Sequence, residues 1–265
     1  MIGTSLIEEL VQTVVLSHRI KHGQHLSLLL MARPESGKTT IARAANAKHV
    51  CPVAVMSGRS IVKEIHDHPE TEFLLFNDLT CIRAMSQSAV LLLINLLNQI
   101  TQNEHGKIGF AGKETEEIDR QIGIIACLPF STFRDQRTKW NELGFVSRML
   151  PFCYAYDVEL VAEIKTSMKA YDTAKTRTHK ILKTPRRDCA IEMSKKFRDT
   201  VQAISDAKAI ELKQIGLRLL QSYLCLVRAH ALWDNRRAVN AADIAFLRAV
   251  DHHISITECK ELSRA

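Results

Sequence analysis

Aromatic residues make up only 6 % of this 265-residue chain, with two tryptophans, ten glycines and six prolines. So little glycine and proline excludes a collagenous or low-complexity polymer. The seven cysteines, at 51, 81, 127, 153, 189, 225 and 259, form no Cys-x-x-Cys pair, which argues against a zinc ribbon or a redox dithiol. Their odd number and wide spacing read as reduced, mostly buried thiols. Long hydrophobic runs are missing too. The most apolar stretch, residues 89–97, is about half the length needed to cross a bilayer. The amino terminus carries Glu8 and Glu9 and has no basic start or apolar core of a secretory signal. The expectation is a cytoplasmic protein with no membrane association.

What is present is ordinary in bulk: 46 % hydrophobic and 25 % charged residues, enough for a sizeable core. The formal charge of +7 is unevenly placed. Residues 1–150 hold 16 Lys/Arg against 15 Asp/Glu, and residues 151–265 hold 20 against 14. A basic surplus favours polyanionic partners and says nothing about fold.

Residues 5–20 place apolar side chains at helical spacing. Short apolar runs at 26–31, 50–55, 73–76 and 122–127 fit buried strands, separated by helical stretches at 38–48 and 86–102. Strands alternating with helices predict an α/β layer built on a mainly parallel sheet. After residue 157 the strand signals stop, and 158–171, 188–209, 211–233 and 241–254 read as helices. The predicted division is therefore an α/β core over 1–157 and a helical domain over 158–265, with an insertion-like basic segment at 173–188.

The most informative segment is Ala32-Arg33-Pro34-Glu35-Ser36-Gly37-Lys38-Thr39-Thr40. Strand, loop, Gly-Lys-Thr and helix follow in the order a phosphate-binding loop requires. Backbone amides and the helix start would cradle phosphates. Lys38 would reach the β- and γ-phosphates and the Thr39 hydroxyl would sit on Mg2+. The first glycine of the usual pattern is Ala32, which is tolerable if that position avoids positive φ. Pro34, Glu35, Ser36, Gly37 and Thr40 complete the expected ATP contacts.

A second motif, residues 73–79, runs four apolar residues into Asn77-Asp78. A buried strand of this kind delivers polar side chains to its carboxyl end. P-loop ATPases usually end it in Asp-Glu, one residue for magnesium and one for the attacking water. If Asp78 takes the magnesium role, Leu79 stands where a glutamate would follow; if Asn77 takes it, Asp78 is a shortened stand-in for the base. ATP binding with slow hydrolysis is the expectation. His66-Asp67-His68 reads as a surface loop rather than a metal site.

With these motifs in place the chain resembles an AAA+ ATPase of the clade that holds the minichromosome-maintenance helicases, the MoxR chaperones and the chelatases. The resemblance implies a P-loop three-layer α/β/α core followed by an α-helical lid. Residues 122–129 look like the strand that senses the γ-phosphate, ending here in Cys127 and Leu128, with Ser131 and Thr132 slightly late. Residues 144–152 are similar to the Ser-Arg-Phe segment whose arginine reaches a neighbour's ATP, which makes Arg148 the candidate finger. Residues 215–232 with the turn at 234–244 resemble the lid, and Arg218 falls on its second sensor, with His230 a packing residue. Residues 96–114, a helix followed by an extended pair around Gly106 and Gly112, resemble the helix-2 hairpin insertion, which contacts DNA in helicases and protein in other members; Lys107 and Lys113 read either as DNA contacts or as solvated lysines.

Residues 158–205 hold 11 Lys/Arg against 6 Asp/Glu. Lys175, Arg177, Lys180, Lys183, Arg186 and Arg187 would track a phosphate backbone, with few aromatics for base stacking. Three functions follow: an ATP-driven or ATP-switched homo-oligomer, as a ring of six or seven or a filament, acting on DNA; a MoxR-like chaperone remodelling a protein partner; and a nucleotide-dependent assembly scaffold with little turnover.

Overall fold

A computed structural model describes residues 5–53, 57–102, 106–108, 116–118, 120–157, 161–162, 185 and 188–261. Its centre is a six-stranded sheet, all parallel: β1 (Leu28–Ala32), β2 (Val50–Val53), β3 (Phe73–Phe76), β6 (Gly123–Pro129), β7 (Leu150–Ala155) and β8 (Lys260–Glu261), in the order β2-β3-β6-β1-β7-β8. Every residue of β1 and β3 is buried, as parallel strands covered on both faces require.

Alternate residues serve opposite faces. Leu28, Leu30, Leu75, Ile125, Phe152 and Tyr154 face one hydrophobic cluster, and Leu29, Met31, Leu74, Phe76, Ile124 and Cys153 face another. The second cluster is covered by α3 (Gly58–Asp67), α4 (Gln87–Gln102) and α5 (Phe130–Glu142). The first is covered by α1 (Ser5–Leu16), α2 (Lys38–Ala42), α6 (Lys195–Leu212), α7 (Leu217–Trp233) and α8 (Ala241–His253). The three late helices therefore share one core with α1 and the sheet. An antiparallel hairpin, β4 (Gly106–Ile108) with β5 (Glu116–Ile118), follows α4 and precedes β6. The strand at Gly106 falls where the sequence reading put it, but its partner lies at Glu116–Ile118, beyond the 96–114 stretch read as the pair, and Gly112 lies outside the described residues.

Several elements differ from the sequence reading. The helix α3 has only Ile61, Val62 and Ile65 on its buried stripe and is started by a Ser57–Ser60 capping box. The helix α5 buries little more than Phe133 and Trp140, so its periodicity is faint. β7 opens Leu150-Pro151, a proline that hides a strand. β8 corrects the expectation that strands stop after 157: Lys260 and Glu261 pair with Tyr154 and Ala155. The expectation of wholly reduced cysteines is corrected for one pair. Cys153 on β7 and Cys259 beside β8 form a disulfide, their Cα atoms 4.6 Å apart, because the strand pairing that joins them was not legible. Cys51, Cys127 and Cys225 are buried free thiols. No helix among the described residues is long and apolar enough to cross a membrane.

The helical layer is tied down by one buried carboxylate. Asp243, fully buried, accepts from both terminal nitrogens of Arg236 at 2.6 and 2.8 Å and from the Asn240 amide at 2.7 Å. It also meets His230 Nδ1 at 2.5 Å, while His230 Nε2 meets Glu9 of α1 at 2.7 Å. Burial alone would raise the Asp243 pKa; the Arg236 and His230 hydrogen bonds hold it at about 2. Held between two carboxylates, His230 is raised above the ordinary histidine value despite its burial.

A second buried cluster has the opposite sign. His18 and His49 lie with ring centroids 4.3 Å apart, and His25 stacks on Phe73. Burial first, then neighbouring charge from His49 or Arg19, lowers His18 to about 3 and His25 and His49 to about 4. The nearby acids Glu72 and Asp188 and the hydrogen bonds to Val15 and Gln121 only partly oppose this.

Two outcomes are expected. Asp243→Ala takes the shared buried acceptor from Arg236, His230 and the Asn240 amide, leaving Asp234 and Glu9 as the remaining carboxylates, and lowers unfolding free energy by about 1–3 kcal/mol, measured by urea denaturation at neutral pH. Because the three clustered histidines are neutral when folded and ordinary when unfolded, their contribution is present above about pH 6.5 and is lost as pH falls towards about 4. His230 remains fully stabilising below about 6.5, so urea midpoints should fall between pH 6.5 and 5, and His49→Phe should flatten that fall.

Candidate functional site

The carboxyl end of β1 runs into the loop 33–37, and α2 starts at Lys38. Ala32 belongs to the strand and is absent from the positive-φ residues, so the methyl in place of glycine is accommodated. Glu35 at φ 62° and Gly37 at φ 74° are left-handed. Alternating handedness turns successive amides to one side, the backbone concavity that suits anions. Ser36 between them is buried. Two tyrosines from β7 and its end brace it: Tyr154 and Tyr156 donate their hydroxyls to the Ser36 carbonyl at 3.2 and 2.8 Å.

Lys38 folds back over the loop. Its ammonium donates to the carbonyls of Ala32 (3.3 Å) and Arg33 (2.6 Å) and to Ser36 Oγ (3.1 Å). Burial lowers its pKa from the ordinary lysine value, with Cys127 and Asp78 acting the other way. Thr39 donates its hydroxyl to the Asn77 carbonyl at 3.3 Å, so the two motifs meet across β6, which lies between β1 and β3. Asp78 is exposed, and its carboxylate takes the Thr80 amide at 2.8 Å. Leu79, fully buried, donates its amide to Cys127.

Pro34, Glu35 and Thr40 are exposed around this cradle. Of the candidate sensors on β6, Cys127 is the side chain beneath the loop, its sulfur 3.8 Å from the Lys38 carbonyl. Burial pushes that thiol up to about 12, the Lys38 ammonium opposing. Ser131 and Thr132 belong instead to α5. A neutral thiol can neither ligate nor carry a charge here, but it can line a polar edge.

The two arginines lie elsewhere. Arg148 precedes β7, where Leu150 donates to the carbonyl of Ser27, just ahead of β1. Arg218 donates to Ser147 Oγ at 3.0 Å. Both therefore sit at the amino edge of the sheet, and the five residues of β1, about 16 Å of strand, separate them from the loop at 33–37. Arg148 and Arg218 are brought together, and neither is brought to Lys38. They line a polar cavity of about 180 Å3 with Gln24, His25, Gln121 and Gln221.

No protein-family model matches the chain, and no curated protein matches it. The geometry therefore carries the functional reading by itself. Among the described residues no cluster of three His, Cys, Asp or Glu is disposed to hold a metal ion. His68 instead lies 3.4 Å from Glu64 and 3.7 Å from Glu70. Magnesium needs less than such a cage, because it keeps waters and takes phosphate oxygens. One observation fits it at Thr39: Asn77 Oδ1 is buried without a hydrogen-bond partner in the same corner. The basic residues Lys175, Arg177, Lys180, Lys183, Arg186 and Arg187 lie outside the described residues, as do Lys113 and the side chain of Lys107.

Sequence reasoning missed Tyr154 and Tyr156, whose signal was the alternation of β7. It also missed the glycine that seats Arg148. Gly144 has φ +70°, and a Cβ there would lie 2.5 Å from Arg148 Nη1. Gly144→Ala should displace that guanidinium and cost about 1–3 kcal/mol, read as a lowered urea midpoint. Tyr156→Phe removes one brace from Ser36 and should leave the fold intact while weakening any ligand of the loop severalfold, by about 1 kcal/mol.

Proposed function

We propose that the protein binds ATP with magnesium and works as an AAA+-type assembly on DNA or on a DNA-bound partner. The observation that carries the reading is the meeting of two motifs. Lys38 and Thr39, behind left-handed Gly37 at the end of β1, face Asn77-Asp78 at the end of β3. Parallel α/β sheets bind ligands at the carboxyl ends of their strands, and the strand order here supports that placement.

In this reading Lys38 exchanges the carbonyls of Ala32 and Arg33 for phosphate oxygens. Thr39, with Asp78 and Asn77 behind it, would hold magnesium, which when bound draws charge from the β- and γ-phosphates. Ser36 and Gly37 supply backbone amides, while Pro34, Glu35 and Thr40 border the nucleotide. With Asp78 on the magnesium, Leu79, apolar and buried, gives the attacking water no carboxylate; with Asn77 there instead, Asp78 is a shortened orienting base. Turnover is accordingly slow.

Arg148 and Arg218 are too far along the sheet to touch their own chain's phosphates. A guanidinium from that edge stabilises phosphoryl charge only on a second copy. Head-to-tail contact of this sort closes into a ring or continues as a filament. The poverty of carboxylates at Asn77-Asp78-Leu79 also favours a scaffold that uses ATP to close an interface with little hydrolysis. The helical layer would serve as the lid of the nucleotide site.

Lys38→Ala is expected to abolish ATP binding in calorimetry, and unchanged affinity would refute the loop reading. Arg148→Ala should keep ATP binding but lose turnover or assembly by light scattering. The double change Asn77→Asp with Asp78→Glu should raise turnover in a phosphate-release assay.

A further inference from the structure

The tyrosines that brace Ser36 sit on a part of β7 with its own support. β1 pairs with β7 only from Leu150 to Cys153. Tyr154 and Ala155 lie past that register, and their ladder partner is β8, through Lys260 and Glu261. Cys153, the last residue paired to β1, carries the disulfide to Cys259. The covalent bond thus stands at the joint between the stretch of β7 held by β1 and the stretch held by β8.

The segment that supplies β8 is fastened unevenly. Up to Ile256 it is tied to the body. Ile254 bridges Phe152, Ser255 donates to the Pro151 carbonyl at 2.9 Å, and Arg137 donates to the Ile256 carbonyl at 3.0 Å. Beyond it, the amides of Thr257 and Glu258 turn back on Ser255 Oγ at 3.3 and 3.2 Å. Lys260 reaches Glu211 only at 3.9 Å, a partly exposed pair of the kind that contributes little. A two-residue parallel ladder adds few hydrogen bonds. The disulfide joins residues 106 apart in sequence, and a cross-link over so long a span removes much of the freedom of the open chain. It is the strongest tie on β8 among the described residues.

The two cysteines differ in access. Cys153 is fully buried and Cys259 half-buried, so an incoming thiolate meets Cys259 first. Five cysteines remain thiols beside this bond, Cys81 among them exposed. In reducing surroundings a disulfide is usually transient and redox-sensing.

We propose that Cys153–Cys259 is a reversible redox latch: closed, it holds β8 against Tyr154 and Ala155 and stiffens the loop at 33–37; opened, it frees β8 and slackens that loop. In opening, the thiolate of a small thiol such as glutathione attacks Cys259 Sγ. The S–S bond breaks, and Cys153 leaves as a thiolate and takes a proton. A second small thiol attacks the mixed disulfide, freeing the Cys259 thiol and leaving the disulfide of the small thiol. The reverse exchange, with that disulfide as the two-electron oxidant, closes the latch again. The Tyr154 ring is buried in the core and keeps its place. Tyr156, half-buried past the end of β7, loosens its hold on the Ser36 carbonyl. As control of ATP binding the latch rests on the loop reading; as a mechanical coupling it does not.

The test is hydrogen exchange by mass spectrometry on the full chain, cycled between glutathione disulfide and dithiothreitol. Thiol titration after unfolding should count five thiols in the oxidised form and seven in the reduced one. Reduction should speed exchange about tenfold or more at 257–261 and in the loop 33–37, and reoxidation should reverse it. Cys259→Ser, a change on a half-buried residue, should exchange at the fast rate in both buffers. The cycle on wild type needs no variant, so a misfolded variant leaves the test intact. Seven thiols after glutathione disulfide would overturn the latch. So would a fast segment 257–261 beside an unchanged loop, or a redox response that survives in Cys259→Ser. Titrated with ATP and magnesium, the oxidised form should bind severalfold tighter, and equal affinities would overturn the control of binding. ATP bound by neither form would sink the loop reading alone, because the exchange result does not depend on a ligand.

Discussion

The helical half of the molecule depends on the carboxylate of Asp243. A charge with no exposure to water is costly unless its hydrogen bonds are complete. Here Arg236, His230 and the Asn240 amide complete them. Through His230 the same network reaches Glu9 on α1. Apolar burial drives α1, α6, α7 and α8 onto the sheet, but it is non-directional. The ion network fixes which residues meet, joining the last turn of α7 to α1 and to the first turn of α8.

A similar device closes the far end of α8. The buried Lys208 ammonium donates to Glu211 at 2.7 Å and to the Ile254 carbonyl at 3.2 Å. Tyr223 reaches Asp251 on the last turn. From there the chain is sewn along β7: Ser255 donates to Pro151, Arg137 donates to Ile256, and Cys259 is bonded to Cys153. The sheet thereby gains β8 at an edge that would otherwise be open, and very short edge strands are one way such edges are kept from pairing with other chains.

Much of this was legible in the residues, and the failures have physical causes. β1, β3 and β6 announce themselves because strands buried on both faces must be apolar throughout. The loop 32–40 was readable because its motif is local, while of the hairpin after α4 only the strand at Gly106 was placed. β7 was hidden by Pro151 and β8 by its two-residue length. The directions of Arg148 and Arg218 were not legible at all. An isolated arginine looks the same in sequence whichever end of the sheet it serves; the register of β1 with β7 places Arg148, and the contact with Ser147 places Arg218. Tyr154 and Tyr156 became site residues only once β7 lay beside the loop.

That position of β7 has a mechanical meaning. Its carboxyl end touches Ser36 through two phenols, and Arg148 stands two residues before its amino end. Parallel pairing of Leu150–Cys153 to β1 and of Tyr154 and Ala155 to β8 makes it a stiff strut rather than a hinge. A load applied to the arginine end is delivered to the Ser36 end by a single rigid rod, with no flexible joint between them to absorb it.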